Sequence, residues 1–242
     1  MKKFIAYISA FCFTFLTSSF SGMPVGDEHT IANPKKFTFN LPIEPANSIS
    51  AKSSLLYKEL CLEEKGLSRE AFDYAYKGYE HLVVKKRISQ PGYLTICDFS
   101  QSIRQKRFYL IDIANNKVVL NTYVAHGRKS GGEYARKFSN GFKSLQSSLG
   151  FYITKNTYVG ENGLSLRLEG LEPGFNDKAY RRAVVVHGAT YIGNGLTGRS
   201  FGCPAVPKKE SKAIINTIKN GTCLFVYHPE KKYLQNSRIL ND

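Results

Sequence analysis

Cys203 lies in the run Gly198-Arg199-Ser200-Phe201-Gly202-Cys203-Pro204, and His187 stands sixteen residues before it. A thiol attacks as its thiolate, so near neutral pH it needs a neighbouring base, and histidine is the usual one. Such a pair could carry covalent acyl transfer, with sulfur adding to a carbonyl carbon while the imidazole moves the proton. The stretch HGATYIGNGLTGRSFGCPAVP has glycines at 188, 193, 195, 198 and 202. They let backbone approach a ligand closely and leave amides free to face a developing anion. A cysteine and a histidine in one chain do not by themselves make a catalytic pair. What singles these two out is that both occupy glycine-flanked loop edges.

His126, in Ala125-His126-Gly127-Arg128, has two readings: a rim residue contacting a substrate carboxylate together with Arg128, or a structural histidine bonded in a turn. His81, His29 and His228 read as helix-surface, linker and strand-exit residues. No short-spaced His/Cys/Glu cluster of the kind zinc uses is present, so no metal site is expected. No glycine run follows a phosphate-loop or dinucleotide pattern, so no cofactor is expected.

These residues need a scaffold, and the hydrophobic pattern supplies one. Leu55, Leu56, Leu60 and Cys61 mark a first helix. Ser68 can cap a second, with Glu70 in its first turn and an apolar face through Phe72, Ala75, Tyr76, Tyr79, Leu82 and Val83. After Pro91-Gly92 the period becomes alternating. Residues 93–99, 107–113 and 117–124 read as strands, the last two joined across Asn115-Asn116. Residues 149–159 and 164–168 read as a hairpin around Glu161-Asn162-Gly163. Residues 183–186 form a short buried strand ending at His187. A helix carrying Ile214, Ile215 and Ile218 begins around Lys208 and stops at Asn220-Gly221; it starts too late for its dipole to help Cys203 much. Residues 222–227 return as a strand. The expectation is a mainly β catalytic domain over 91–230, with a helical extension at 51–90 and a tail at 231–242.

The N-terminus reads as a processed segment. Lys2 and Lys3 precede an apolar run from Phe4 to Leu16, and Ser19 and Ser21 can flank a cleavage site before Gly22. Residues 1–21 are therefore expected to be a signal peptide, which places the protein in the periplasm or cell envelope. Contact with a membrane is expected only through that segment, were it uncleaved. Residues 22–50, with Pro24, Pro34, Pro42 and Pro45, read as an extended linker. The formal charge of +15 favours anionic partners such as cell-wall carboxylates and phosphates or lipid headgroups. Nucleic acid is not favoured, because the basic residues are scattered rather than gathered on one face. Cys97 and Cys223 sit in apolar runs and read as buried free thiols, with a Cys61–Cys97 or Cys97–Cys223 bridge as the alternative.

The pair HG…SFGC resembles the signature of the L,D-transpeptidase catalytic domain, the YkuD-like family, which reads His-Gly, a loop, then Ser/Thr-x-Gly-Cys. The segments NTYVAHGRKSGGEYA, SSLGFYITKNTYVGENG, LSLRLEGLEPGFND and GRSFGCPAVP resemble its murein L,D-transpeptidase branch. The likeness runs from about Leu67 to Pro229. It implies a β-rich catalytic fold and a two-step acyl transfer on peptidoglycan stem peptides. Cys203 would attack at the L-centre of the third residue and expel the terminal D-alanine. The thioester would then pass to an amine, giving a 3→3 cross-link or attaching a protein to the wall. The family also implies that the Gly188 carbonyl orients His187 and that the amides of Gly202 and Cys203 form an oxyanion hole. Two departures stand out: Phe201 replaces a common histidine, and Ala205 replaces a common arginine. Arg199 is then the nearest substitute for gripping substrate, with Ser200 beside it, although an arginine there could equally cap loop carbonyls. The same acyl-enzyme resolved by water would make an L,D-carboxypeptidase or endopeptidase. A wall-binding module without chemistry is the reading from another class, and it has no need of both Cys203 and His187.

Overall fold

The computed structural model describes residues 48–193 and 196–242, all within one compact unit. The expected signal peptide, and the linker as far as residue 47, lie outside the described residues. Eight strands form one sheet: β1 (Tyr93–Asp98), β2 (Phe108–Asp112), β3 (Lys117–Thr122), β4 (Gly150–Gly160), β5 (Gly163–Gly170), β6 (Val185–Ala189), β9 (Ala205–Pro207) and β10 (Cys223–Tyr227). Their spatial order is β3-β2-β1-β10-β4-β5-β6-β9. The pairs β1–β10 and β6–β9 are parallel and the rest antiparallel. A small ribbon of β7 (Ile192–Gly193) and β8 (Leu196–Thr197) sits in the loop between His187 and Cys203.

The sequence pattern explains the order. Central β10 is buried at every position, and β1 at every position after Tyr93, whereas edge strand β3 leaves Lys117 and Val119 exposed. A strand covered on both faces reads as a continuous apolar run. Asn116 takes a positive φ of 47° in the β2–β3 turn, as its residue type allows. Phe151 of β4 stacks on Phe225 of β10 with ring centroids 4.1 Å apart.

Helices α1 (Ile49–Glu59) and α2 (Arg69–Val84) are capped by Ser48 and Ser68, whose side chains accept from the amides of Ala51 and Ala71. The helices share one core with the sheet: Leu56, Phe72 and Tyr79 join Ile96, Phe151 and Phe225. Gly78 makes the approach possible, since a Cβ there would lie 2.0 Å from the Phe151 ring. Residues 51–90 are thus a helical extension packed into the same unit as the sheet.

Two differences from the expectation have physical causes. Residues 231–242 are not a tail but two short helices, α4 (Lys231–Asn236) and α5 (Arg238–Asn241). They are anchored by buried Tyr233 and Leu240 and by buried Glu172, whose carboxylate accepts from Tyr233, Ser237 and the Phe151 amide. Strand β6 does not end at His187 but runs on to Ala189, because β9 pairs along its far edge at His187, Gly188 and Ala189. The four cysteines among the described residues are free. Cys97 pairs with Val226 and Cys223 with Leu94, so the two thiols are offset along neighbouring strands. Burial pushes both thiols up, Cys97 to about 12.

Candidate active site

The register of the sheet sorts side chains by chemistry. Ser165 lies opposite His187, and Arg167 opposite Val185. With a side-chain period of two, these four share one face, while Leu166, Leu168 and Val186 point into the core. His187 is fixed on this face at the β5–β6–β9 junction. Its Nδ1 lies 3.2 Å from the carbonyl of Gly188. A carbonyl only accepts, so Nδ1 carries the proton and Nε2 is left with its lone pair. Gly188 must be glycine for packing too: a Cβ would meet Ser211 Oγ at 2.4 Å, on α3 (Lys208–Ile218).

Cys203 sits half-buried in the turn leading to β9. Its sulfur accepts from the Val185 amide at 3.5 Å, and its thiol faces the Ala183 carbonyl at 3.8 Å. Ala183 has a positive φ of 53° and closes a turn in which its own amide bonds Tyr180 and that of Val184 bonds Ala179. This is the bond pattern of a helix-terminating left-handed cap, normally a glycine position. Here it presents a carbonyl and, two residues on, an amide to the Cys203 sulfur.

Both members of the pair favour the neutral state. Burial pushes the Cys203 thiol above its ordinary value, opposed by the Val185 amide and by the positive charge of Arg182. Burial lowers His187, opposed by the Gly188 carbonyl and reinforced by Lys208. No hydrogen bond joins Cys203 to His187 among the described residues. Neither the burial of the two groups nor their hydrogen bonds favour the ionised thiol in this arrangement.

The turn around Cys203 reassigns two expected site residues. Ser200 is buried; its Oγ accepts from the Gly202 amide at 3.0 Å and donates to the Cys203 carbonyl at 2.6 Å. Ser200 is thus a turn residue rather than a substrate contact. The Gly202 amide is engaged and so is not a free oxyanion donor. The Cys203 amide has no hydrogen-bond partner among the described residues and remains available. Gly202 itself has φ 129°, and a Cβ there would press on the Gln146 carbonyl at 2.9 Å.

The turn is held by the segment that carries His126. The Ser200 amide bonds the His126 carbonyl at 3.0 Å, the Arg128 amide bonds Ser200 at 2.7 Å, and Ala125 bonds Ala205 at 2.8 Å. Ser147 Oγ accepts from Gly127 and donates to the Gly202 carbonyl. His126 itself is fully buried, which removes it from the substrate rim. Arg107 donates to its Nδ1 at 2.8 Å, so Nε2 carries the proton and faces the Gly131 carbonyl at 3.4 Å. Burial first, then the Arg107 charge, lower His126 to about 4. Arg199 is exposed and donates to the same Gly131 carbonyl at 2.9 Å, the capping role rather than a free grip on substrate. Phe201 is exposed with Arg128 stacked 4.5 Å over its ring.

Sequence reasoning missed Arg182. Its Nη1 donates to the Ser139 carbonyl (2.9 Å) and Ser148 Oγ (2.5 Å), and its Nη2 to Ser144 Oγ (3.1 Å) and the Gln146 carbonyl (3.0 Å). This one side chain ties the 139–148 loop to the turn that ends at Ala183. Its only trace in the sequence is the pair Arg181-Arg182 just before an apolar strand.

The family model of the L,D-transpeptidase catalytic domain matches residues 63–227. No curated protein matches the chain. Among solved structures, an L,D-transpeptidase from Mycobacterium smegmatis is similar at 11% identity, TM-score 0.37, over 57% of this chain and 59% of that one. One from Xylanimonas cellulosilytica is similar at 17% identity, TM-score 0.33, over 56% and 60%. One from Enterococcus faecium is similar at 13% identity, TM-score 0.36, over 56% and 50%. The chain thus spans under two thirds of each of these structures, and the scores are too low for the likeness to place any residue. The family match extends over well more than half of the sequence, across the sheet and both His187 and Cys203: the chain belongs to the L,D-transpeptidase catalytic domain family.

Proposed function

We propose that this protein is an exported cysteine acyltransferase acting on peptidoglycan stem peptides. The observation that carries the reading is the state of His187: Nδ1 is held on the Gly188 carbonyl, Nε2 has no partner among the described residues, and the residue pairs with Ala205, two positions after Cys203. An imidazole fixed in this tautomer is a general base waiting for a proton. In the first step the Cys203 sulfur bonds to the carbonyl carbon at the L-centre of the third residue, and its proton moves to His187 Nε2. The Cys203 amide faces the developing oxyanion. The tetrahedral intermediate collapses, the bond to the terminal D-alanine breaks, and the imidazolium returns the proton to the departing amine. In the second step an acceptor amine attacks the thioester, loses its proton to His187, and releases the thiol.

A second stem peptide as acceptor yields a 3→3 cross-link, an amine on another protein attaches that protein to the wall, and water trims the peptide. Incubation with disaccharide-tetrapeptide separates these outcomes. Mass spectrometry is expected to show dimers lacking one D-alanine, with none formed by Cys203→Ala. Tripeptide alone would make the protein a hydrolase. Product from Cys203→Ala at the wild-type rate would end the acyl-enzyme reading. Export is tested by fractionating cells and finding the processed chain in the envelope; full-length protein in the cytoplasm would contradict it.

A further inference from the structure

A cavity of about 440 Å³ is lined by Tyr158, Arg167, Tyr180, Ala183, Val184 and Val185. Two of these lining residues also touch Cys203, whose Sγ lies 3.8 Å from the Ala183 carbonyl and 3.5 Å from the Val185 amide. Arg167 stands opposite Val185 in the β5–β6 register and so on the His187 face. Its guanidinium lies 4.3 Å over the ring of Tyr158. Stacking fixes the plane of an arginine while leaving its N–H edge open. Among the described residues Arg167 makes no ion pair and no side-chain hydrogen bond, and no acid lines the cavity. Tyr180, 51% exposed, also lines the cavity, at the turn that ends in Ala183.

An open guanidinium edge stacked on one tyrosine, in a cavity two of whose lining residues touch the Cys203 sulfur, suits a carboxylate carried on a short aliphatic stem. We infer that this cavity is the carboxylate subsite for the acyl donor, with Arg167 as the group that grips it. The inference rests on the acyl-transfer reading for the identity of the donor, and it supplies the grip that Arg199, engaged on the Gly131 carbonyl, does not. A stem tetrapeptide offers two carboxylates within reach of the reacting carbonyl: that of the terminal D-alanine and that on the side chain of the third residue.

Binding to Cys203→Ala protein, read by calorimetry, tests the subsite without turnover. Three probes are used: free tetrapeptide, tetrapeptide amidated at the terminal D-alanine, and tetrapeptide amidated on the third residue. Adding Arg167→Gln is expected to weaken the free peptide about tenfold and to leave unchanged the one peptide whose gripped carboxylate is amidated, which names that carboxylate. Arg167→Lys keeps the charge without the fork and is expected to fall between. If Arg167→Gln changes the affinity of none of the three peptides, the subsite is overturned, as it is by absence of binding to the parent. Thermal melts of each variant matching the parent exclude misfolding as the cause of a loss. Discriminating binding by a protein that never turns over tetrapeptide would leave the subsite standing and refute the acyl-transfer reading instead.

Discussion

The chain contains two His-Gly pairs, at His126-Gly127 and His187-Gly188, and they do different work. Both histidines are buried, and burial lowers the affinity of both for a proton. At His126 both ring nitrogens are engaged, one by the Arg107 guanidinium and one facing a carbonyl. At His187 one nitrogen is engaged, and the other has no hydrogen-bond partner among the described residues. A lowered proton affinity is therefore shared by both histidines, and the number of engaged ring nitrogens is what separates them.

The largest expected contrast comes from removing each ring. His187→Ala should lower kcat/KM for tetrapeptide on the order of 10³-fold, the usual weight of a general base, with little change in urea midpoint. His126→Ala should do the reverse. It leaves the buried Arg107 donor unpaired and should cost about 2 kcal/mol of stability, read as a lower urea midpoint. Turnover at low temperature should change by far less than for His187→Ala. A stable but inactive His126→Ala protein would break the comparison.

The same contrast should be visible in pH. The folded-state value of His126, about 4, lies below the ordinary histidine value of 6.5. The unfolded chain therefore takes up a proton first as pH falls. Stability should be at its full value above about 6.5 and should decline as pH drops toward 4, by about 3 kcal/mol. Urea titrations at about pH 7 and about pH 4.5, either side of most of that decline, should show this loss, and His126→Ala should lose part of the slope. Activity should follow His187 instead. Because its value is lowered and that of Cys203 is raised, the acid limb of kcat/KM should fall below 6.5. The plateau should extend past the ordinary thiol range, as one coupled profile. An acid limb above about 7, higher than an ordinary histidine gives, would contradict the neutral resting pair.

The smallest effect sharpens the role of the turn. Ser200→Ala removes a hydroxyl that bonds both the Gly202 amide and the Cys203 carbonyl. It should cost about 1 kcal/mol and lower kcat severalfold while leaving KM unchanged. A rise in KM alone would return Ser200 to the substrate-binding residues.

The strands read at residues 93–99 and 117–124 and the capping Ser68 were legible because their signals are local. His187 was legible as a histidine closing an apolar run. The two His-Gly pairs could not be told apart, because Arg107 reaches His126 across 19 residues and no local pattern records it. Arg182 escaped for the same reason, its four acceptors all lying 34 to 43 residues away. Ser200 and Gly202 were placed in the right loop with the wrong partners. A hydroxyl beside a nucleophile can face substrate or its own backbone, and only the folded turn decides. The C-terminal helices are short enough that Tyr233, Ile239 and Leu240 set up no helical period.

The central claim is that Cys203 carries the acyl group and His187 Nε2 moves its proton. Rapid-quench intact-protein mass spectrometry with disaccharide-tetrapeptide tests it most directly. The expected result is an adduct of the peptide minus D-alanine, mapped to Cys203. It should form at a rate reduced on the order of 10³-fold in His187→Ala and be absent from Cys203→Ala. Loss of D-alanine with no adduct on Cys203, at a rate indifferent to both substitutions, would contradict it.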